Sequence, residues 1–575
     1  MLKGENTMIS LRGNRNFMLA GVASTLAAVP ALAAPELVMP PMSTATAHYF
    51  VTHTDAYALF LKRLGSPGRG GEVNAPPRTI TGNGGAWQVV AKAPAGGLCN
   101  PVLLTDGTVM VASCDTPKWY KLTPDITGNY AKGTWTQLAS LPMISGTQYA
   151  PLYHASGVLP DGRVIIMGGE YNGGNTEVWT NLGAIYDPQA NTWTAVNAPL
   201  GTSWTNIGDA ESVVLPDGTF MLASCCAYHP DADALFNAKA LTWTEVPGPR
   251  FGGEYQDEQG YELLPTGNVL TIDIWTAYIK NLTASVNTEL YKPALRQWYR
   301  GKNTPVSLPD ADACGTFEIG PAVLRGDGTL VAFGGHTGCQ GDPLPQDPTT
   351  ILDTKSNSWS VGPSVPAVCG TNGTTACTLP DAPATVTPEG NILFGASAGY
   401  GEAPTHFFEV GADNNITQVS DPLLHSETQG AYTYFFLDLP NGQILMSDFS
   451  RRLEVYTDSG TPISSWAPVI ASVPTTEKAG GTYRLIGTQL NGRTQGAEYG
   501  DDAQMATNYP IVRLTNASTG HVFYARTSKF STYSVAAHIA GSADFTLPAN
   551  IESGSFTLVA IASGNASAPV VVTVK

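Results

Sequence analysis

Charge is scarce in this chain, and basic charge scarcer still: 13% of the 575 residues are charged, with Lys+Arg 30 against Asp+Glu 47, a formal net charge of -17. So few cationic side chains argue against nucleic acid or an anionic lipid surface as partner. Beyond residue 34 no apolar run approaches the length of a membrane span. Phosphate-cradling glycine loops, zinc-ligand spacings and the serine-hydrolase elbow are all missing, and nothing reads as a substantial helix. Turn residues, by contrast, abound. Gly 61 and Pro 42 speak for many turns between short strands.

The N-terminus reads as an export signal. Lys3, Arg12 and Arg15 precede an apolar run from Phe17 to Ala34, and Ala31-Leu32-Ala33 is a small-residue cleavage site. The run is short, Ala-rich and interrupted by Pro30, which separates it from a membrane anchor. Residues 1–33 are therefore expected to be removed, leaving a secreted protein, extracellular or periplasmic. Residues 34–84 form a lead-in with little pattern.

One motif then dominates. Val158 to Gly169 reads Val-Leu-Pro-Asp-Gly-Arg-Val-Ile-Ile-Met-Gly-Gly, and a close variant occurs seven times, with turn glycines at Gly107, Gly162, Gly218, Gly267, Gly328, Gly390 and Gly442. Asp and Gly accept the positive φ of a short hairpin, and the apolar, β-branched flanks predict strands buried on both faces. The intervals of 55, 56, 49, 61, 62 and 52 residues match the period of kelch-type propeller blades. Outer strands follow with a tryptophan each: Trp135, Trp193, Trp243, Trp298 and Trp359, with Ile416 in the sixth repeat. The seventh repeat has none, whereas Trp87 stands upstream of the first hairpin. A ring must close or leave sheet edges unpaired, so the Trp87 strand is expected to complete the last blade. Near Ser464 the pattern stops, and about a hundred residues of short strands predict an immunoglobulin-like sandwich. The expected fold is all-β: a seven-bladed kelch-type β-propeller over 85–464 and a C-terminal immunoglobulin-like (early-set) β-sandwich over 465–575.

This arrangement resembles the galactose oxidase and glyoxal oxidase family of copper radical enzymes over roughly residues 85 to 575. The resemblance implies an axial copper site built from a cysteine cross-linked to a tyrosine, a second tyrosine followed by a histidine, and a histidine from the C-terminal domain. Cys99 resembles that cysteine, Tyr153 the cross-linked tyrosine and Tyr432 the axial one. They lie 8, 9 and 10 residues before their turn glycines, and blades seven, one and two are neighbours in a closed ring. The chain departs from the family at the imidazoles. Thr433 follows Tyr432, and the C-terminal loop Gln495 to Met505 carries Glu498, Asp501 and Asp502 but no histidine. His154 beside Tyr153 is the nearest nitrogen candidate, with His425 and His521 remoter. Tyr153, His154, Tyr432, Asp501 and Asp502 thus form the candidate metal set, with copper as the family's ion.

Two further readings stand beside that one. The eight cysteines of an exported chain suggest disulfides: Cys99 with Cys114 as opposed residues of one hairpin, Cys314 with Cys339, Cys369 with Cys377, and Cys225 with Cys226. A Cys99–Cys114 bond would deny Tyr153 its thioether. In addition, Asp209, Glu211, Glu258, Glu318 and Asp381 fall just before innermost strands, where carboxylates can hold a hard cation such as calcium or act as acid and base on a glycan. The expected function is the binding of a carbohydrate or cell-surface ligand at the propeller mouth. Copper oxidation of alcohols or aldehydes to give peroxide, and cation-stabilised glycan cleavage, are the alternatives.

Overall fold

The computed structural model describes residues 84–575 apart from 175–177, 201–203, 225–231, 252–255, 257, 277–283, 310–317, 337–345, 367, 370–375, 400–402, 425, 427, 500–504 and 536–537. The export signal, nearly all of the lead-in, the Cys225–Cys226 and Cys314–Cys339 pairings, His425, Asp501 and Asp502 therefore lie outside the described residues. None of the described helices is long and apolar enough to cross a membrane.

Seven antiparallel sheets, six of four strands and one of five, form the propeller arrangement. Blade 1 is the meander Leu98–Leu103, Val109–Ser113, Trp119–Thr123 and Thr134–Gln137, and blades 2 to 6 repeat it with innermost strands Ala155–Val158, Ser212–Val214, Glu262–Leu263, Ala322–Leu324 and Pro383–Val386. Each of the seven turn glycines has φ between 74 and 97°. Its N–H donates to the carbonyl three residues back at 2.8 to 3.0 Å. Any L side chain there would be strained, which is why the repeat keeps glycine. The two strands flanking each turn are buried on both faces, as Val164–Met167 shows, because blades pack face to face around the ring. Outer strands such as Thr192–Ala195 are mostly exposed.

Blade 7 confirms the expected closure. Its strands Phe435–Asp438, Ile444–Ser447 and Glu454–Thr457 come from the end of the repeat region, and its outer strand is Ala86–Val89. Trp87 lies opposite Tyr456. The tryptophans also clip adjacent blades together. Trp135 Nε1 donates to the Ala91 carbonyl, Trp193 to Ala139 and Trp243 to Asn197, each acceptor lying just beyond the preceding blade's outer strand. Trp87 does the same to Ser420, so it occupies the equivalent place in blade 7. Trp298 departs from the pattern and donates to the buried Asp233 carboxylate at 2.6 Å.

After Thr457 the packing mode changes. Nine strands between Val469 and Val574 join in one hydrogen-bonded sheet. Several, including Ala540–Thr546, alternate buried with half-buried or exposed positions, the period-two pattern of a sheet with one face in a core. This sheet docks on the hairpin-turn side of the propeller. Tyr509 Oη donates to the Leu103 carbonyl and Tyr533 Oη to the Val158 carbonyl, both at 2.5 Å, and the Thr527 N–H donates to Thr105.

Candidate functional site

Between the strands Thr482–Thr488 and Ile511–Asn516 the chain leaves the C-terminal sheet and enters the propeller axis. Residues Ala497–Tyr499 add a fifth strand to the inner edge of blade 6, with Ala497 opposite Thr385, Glu498 opposite Ala384 and Tyr499 opposite Pro383. The insertion runs from the turn side to the upstream ends of the inner strands. Gln495 Oε1 accepts from the Leu263 N–H of blade 4 at 2.8 Å. Gly496 passes the Asp438 carboxylate of blade 7 so closely that a Cβ would lie 2.4 Å from Oδ2, and its φ of 94° also demands glycine. Glu498 faces Glu262 of blade 4, and both are buried. Burial first, and the Glu498 charge second, push the Glu262 carboxyl well above its usual range.

Tyr499 ends this strand in a cluster of aromatic rings. It stacks on Phe435 at 4.5 Å and 13° between planes, and on Tyr153 at 6.1 Å and 23°. Tyr153 also meets Phe449 edge-on at 6.0 Å and Tyr171 at 6.3 Å. The Tyr499 hydroxyl donates to the Tyr432 carbonyl. Tyr499 of the C-terminal insertion thus touches both the Tyr153 ring of blade 2 and the backbone of Tyr432, just before the inner strand of blade 7. Tyr153, Tyr432 and Phe449 are half-exposed, whereas Phe435 and Tyr499 are buried behind them.

A second group gathers the carboxylates. Glu258, Glu318 and Asp381 precede the inner strands of blades 4, 5 and 6, and each offers an oxygen within 4.8 Å of the other two. Tyr153, Glu258 and Asp381 all have left-handed backbone, with φ of 49, 61 and 51°. Such geometry is uncommon outside glycine, and its recurrence just before three inner strands marks the mouth as the place where the backbone is bent to aim side chains. The other two acids do not join this group. Glu211 is fully buried and accepts from the Gln259 N–H at 2.9 Å, a contact between blades 3 and 4, and Asp209 is buried two residues before it.

Two expectations are corrected. Cys99 is bonded to Cys114, as the disulfide reading expected, with Cα atoms 5.6 Å apart, and its sulfur is therefore not available to cross-link Tyr153 as the family resemblance implied. The two cysteines are not directly opposed, either. A bulge at Asn100, with φ 40°, shifts the register so that Cys99 faces Ala112, and Cys114 reaches it from beyond the strand end. His154 also fails as a nitrogen at the mouth. Its ring is 1% exposed, lies edge-on to Trp119 at 6.1 Å and meets the Asn100 side-chain amide through Nε2 at 2.9 Å. Burial lowers its pKa to about 3, so the imidazole stays neutral. His521 pairs with Glu552 on the C-terminal sheet. Among the described residues, the cysteine, imidazole and tyrosine set that the family resemblance implies for copper does not assemble, and the residues present do not fit that cofactor.

The second expected disulfide is present: Cys369 and Cys377 are bonded with Cα atoms 4.7 Å apart. For the first, peptide mapping is expected to release Cys99 and Cys114 as two alkylated cysteines after reduction. A Cys99 peptide that stays joined to Tyr153 through reduction would contradict the bond.

Comparison with known proteins gives a distant structural likeness. A fungal alcohol oxidase of the AA5 family, solved in complex with copper, is similar at TM-score 0.37 and 14% identity, over 83% of this chain and 85% of the other. The extracellular domain assigned to a hybrid two-component system of B. thetaiotaomicron is similar at TM-score 0.40 and 10% identity, over 86% of this chain and 60% of that one. No family model matches the sequence. Nor does any curated protein.

Sequence reasoning named Tyr153, Tyr432, Glu258, Glu318 and Asp381 but missed Tyr499, Phe435, Phe449, Tyr171 and Glu262. Tyr499 carried a usable signal: it sits beside Glu498, inside the C-terminal loop where the family resemblance implies a copper histidine. The other four look like ordinary strand or loop residues.

Proposed function

We propose that this is a secreted propeller protein that binds a carbohydrate at the mouth formed by Tyr153, Tyr432 and Phe449, with the C-terminal strands as an immunoglobulin-like module whose insertion completes the site. The observation that carries this reading is the stacked set of Tyr153, Phe435 and Tyr499, drawn from two blades and the insertion. Sugar rings present apolar C–H faces to aromatic surfaces and hydroxyl donors to carboxylates, and a mostly apolar cleft with a few convergent acceptors is the usual form of a small-ligand site. Glu258, Glu318 and Asp381 are the acceptors. The shortage of basic residues favours neutral or cationic glycans over acidic ones.

A second reading is favoured by the convergence of those three carboxylates: they hold a hard cation such as calcium, which orders the mouth or assists glycan cleavage. Copper oxidation draws no support from the described residues.

The test is a panel of immobilised neutral oligosaccharides of glucose, galactose, mannose and N-acetylglucosamine, probed with and without calcium and a chelator. Wild-type protein is expected to retain at least one member. Tyr153→Ala is expected to weaken that binding about 30-fold, the loss typical of an aromatic anchor, while Tyr153→Phe retains most of it. Undiminished binding by Tyr153→Ala would move the site elsewhere, and peroxide release by copper-treated protein on an alcohol or aldehyde would overturn the binding reading in favour of the oxidase.

A further inference from the structure

The connection between the second and third strands of blade 2, residues 168 to 182, is much longer than its counterpart in blade 1, residues 114 to 118. Its first half folds back beside Tyr153. Tyr171 and Asn172 pair with Leu152 and Pro151, and the Glu170 N–H donates to the Tyr153 carbonyl at 3.0 Å. Asn172 reinforces the pairing, since its Oδ1 accepts from the Ala150 N–H at 2.8 Å. The Tyr171 ring, which is buried, comes to rest 6.3 Å from the Tyr153 ring.

A neighbouring blade grips the middle of this loop. Asp115 Oδ1 accepts from the Gly173 N–H at 2.6 Å and from the Gly174 N–H at 3.0 Å. The Gly173 N–H is shared with the Ala150 carbonyl at 2.9 Å, so Asp115 gives Gly174 a bond and strengthens an existing one at Gly173. Asp115 is itself fixed in an unusual conformation, with φ 54°, directly after the disulfide-bonded Cys114. Bonds from backbone N–H to a charged carboxylate are about twice as strong as neutral ones, and one oxygen placed between two consecutive N–H groups sets the direction of both. Burial raises the Asp115 carboxyl to about 6, which leaves it charged at neutral pH.

We propose that Asp115 is a positioning residue for the mouth: carried on blade 1 next to the Cys99–Cys114 bond, it pins the blade 2 loop at Gly173–Gly174 and so holds Tyr171 against Tyr153. This inference rests on reading that mouth as the binding site. Tyr153 belongs to blade 2, and its ring is held by contacts from several segments. Phe435, Phe449 and Tyr499 bound it on one side, and Tyr171 does so from the loop that Asp115 holds.

Backbone amide exchange on the ligand-free, full-length protein tests the inference without any knowledge of the ligand. In Asp115→Ala the peptide covering residues 168 to 174 is expected to exchange at least about 10-fold faster, a local loosening, while peptides from blades 4 to 6 keep wild-type protection. Asp115→Asn retains an acceptor oxygen in the same place and is expected to restore most of the protection. The panel glycan best retained by wild type is expected to bind about 10-fold more weakly to Asp115→Ala and nearly normally to Asp115→Asn. Wild-type exchange of residues 168 to 174 in Asp115→Ala would overturn the inference, as would an equal acceleration in every blade for both variants. If wild type retains no glycan, the binding reading fails, and the exchange data still decide what Asp115 does.

Discussion

Trp87→Ala is expected to destabilise the protein by about 3–5 kcal/mol, the usual cost of removing a buried tryptophan. The ring is 8% exposed, meets Phe407 edge-on at 5.5 Å and lies 4.9 Å from Tyr456. Its removal would open a cavity between blades 6 and 7 and leave the Ser420 carbonyl without its donor. The position adds a further term. The Ala86–Val89 strand pairs the start of the described chain into the last blade, so weakening it exposes the outer edge of Glu454–Thr457. Urea unfolding of Trp87→Ala, compared with Trp135→Ala in the half-exposed outer strand of blade 1, is the measurement. A smaller loss at Trp87 than at Trp135 would show that ring closure does not depend on this side chain.

The second large effect is a rise in stability on acidification. Burial is the leading cause that raises Asp233, Asp438, Glu409 and Glu477 to about 7 and Glu454 to about 8. A carboxyl whose folded pKa exceeds its unfolded value binds more protons in the native state between the two. Its favourable contribution is complete below the unfolded value, near 4, and is lost as pH rises through the folded value. Five such groups act in the same direction between about pH 8 and pH 4.5. His154 acts the other way: with a pKa of about 3 in the fold, it costs stability as pH falls below its unfolded value near 6.5. One imidazole opposes these five carboxyls together with Asp115 and Glu262, raised by the same cause, so the net expectation is a higher thermal midpoint at pH 5 than at pH 8. Below about pH 4 the trend should reverse. Asp125, Asp353, Asp413, Asp544 and Glu552 have lowered values through hydrogen bonds and nearby cations, and their protonation removes those contributions. Calorimetric scans at one heating rate between pH 4 and 8 decide it, and a midpoint that rises steadily with pH would show that these carboxyls are ionised and solvated in the native protein.

The mixed character of the site follows from how far apart its parts lie in sequence. Glu258 and Asp381 approach within 4.8 Å although 123 positions separate them. Their offsets from the turns put each just before an inner strand, but which of several such acids meet depends on the closing of the ring. Asp209 and Glu211 hold the same kind of position, yet Glu211 turns into the contact between blades 3 and 4.

What the chain specifies locally was readable from its residues alone. Seven glycines with positive φ, the tryptophans of the outer strands, the closing role of Trp87 and the Cys369–Cys377 bond each depend on ten or so neighbouring residues, or on a repeat that announces its own missing member. Backbone sterics and strand periodicity act at that range, so the pattern and the structure agree. Only the tertiary structure decided that Asn100 bulges and shifts the partner of Cys99, that His154 turns inward to Asn100 and Trp119, and that Tyr499 arrives from the C-terminal sheet to bridge Tyr153 and Tyr432. Each of these is a choice of face or a meeting of distant segments, settled by packing around the channel and by the burial of rings that no local rule orients.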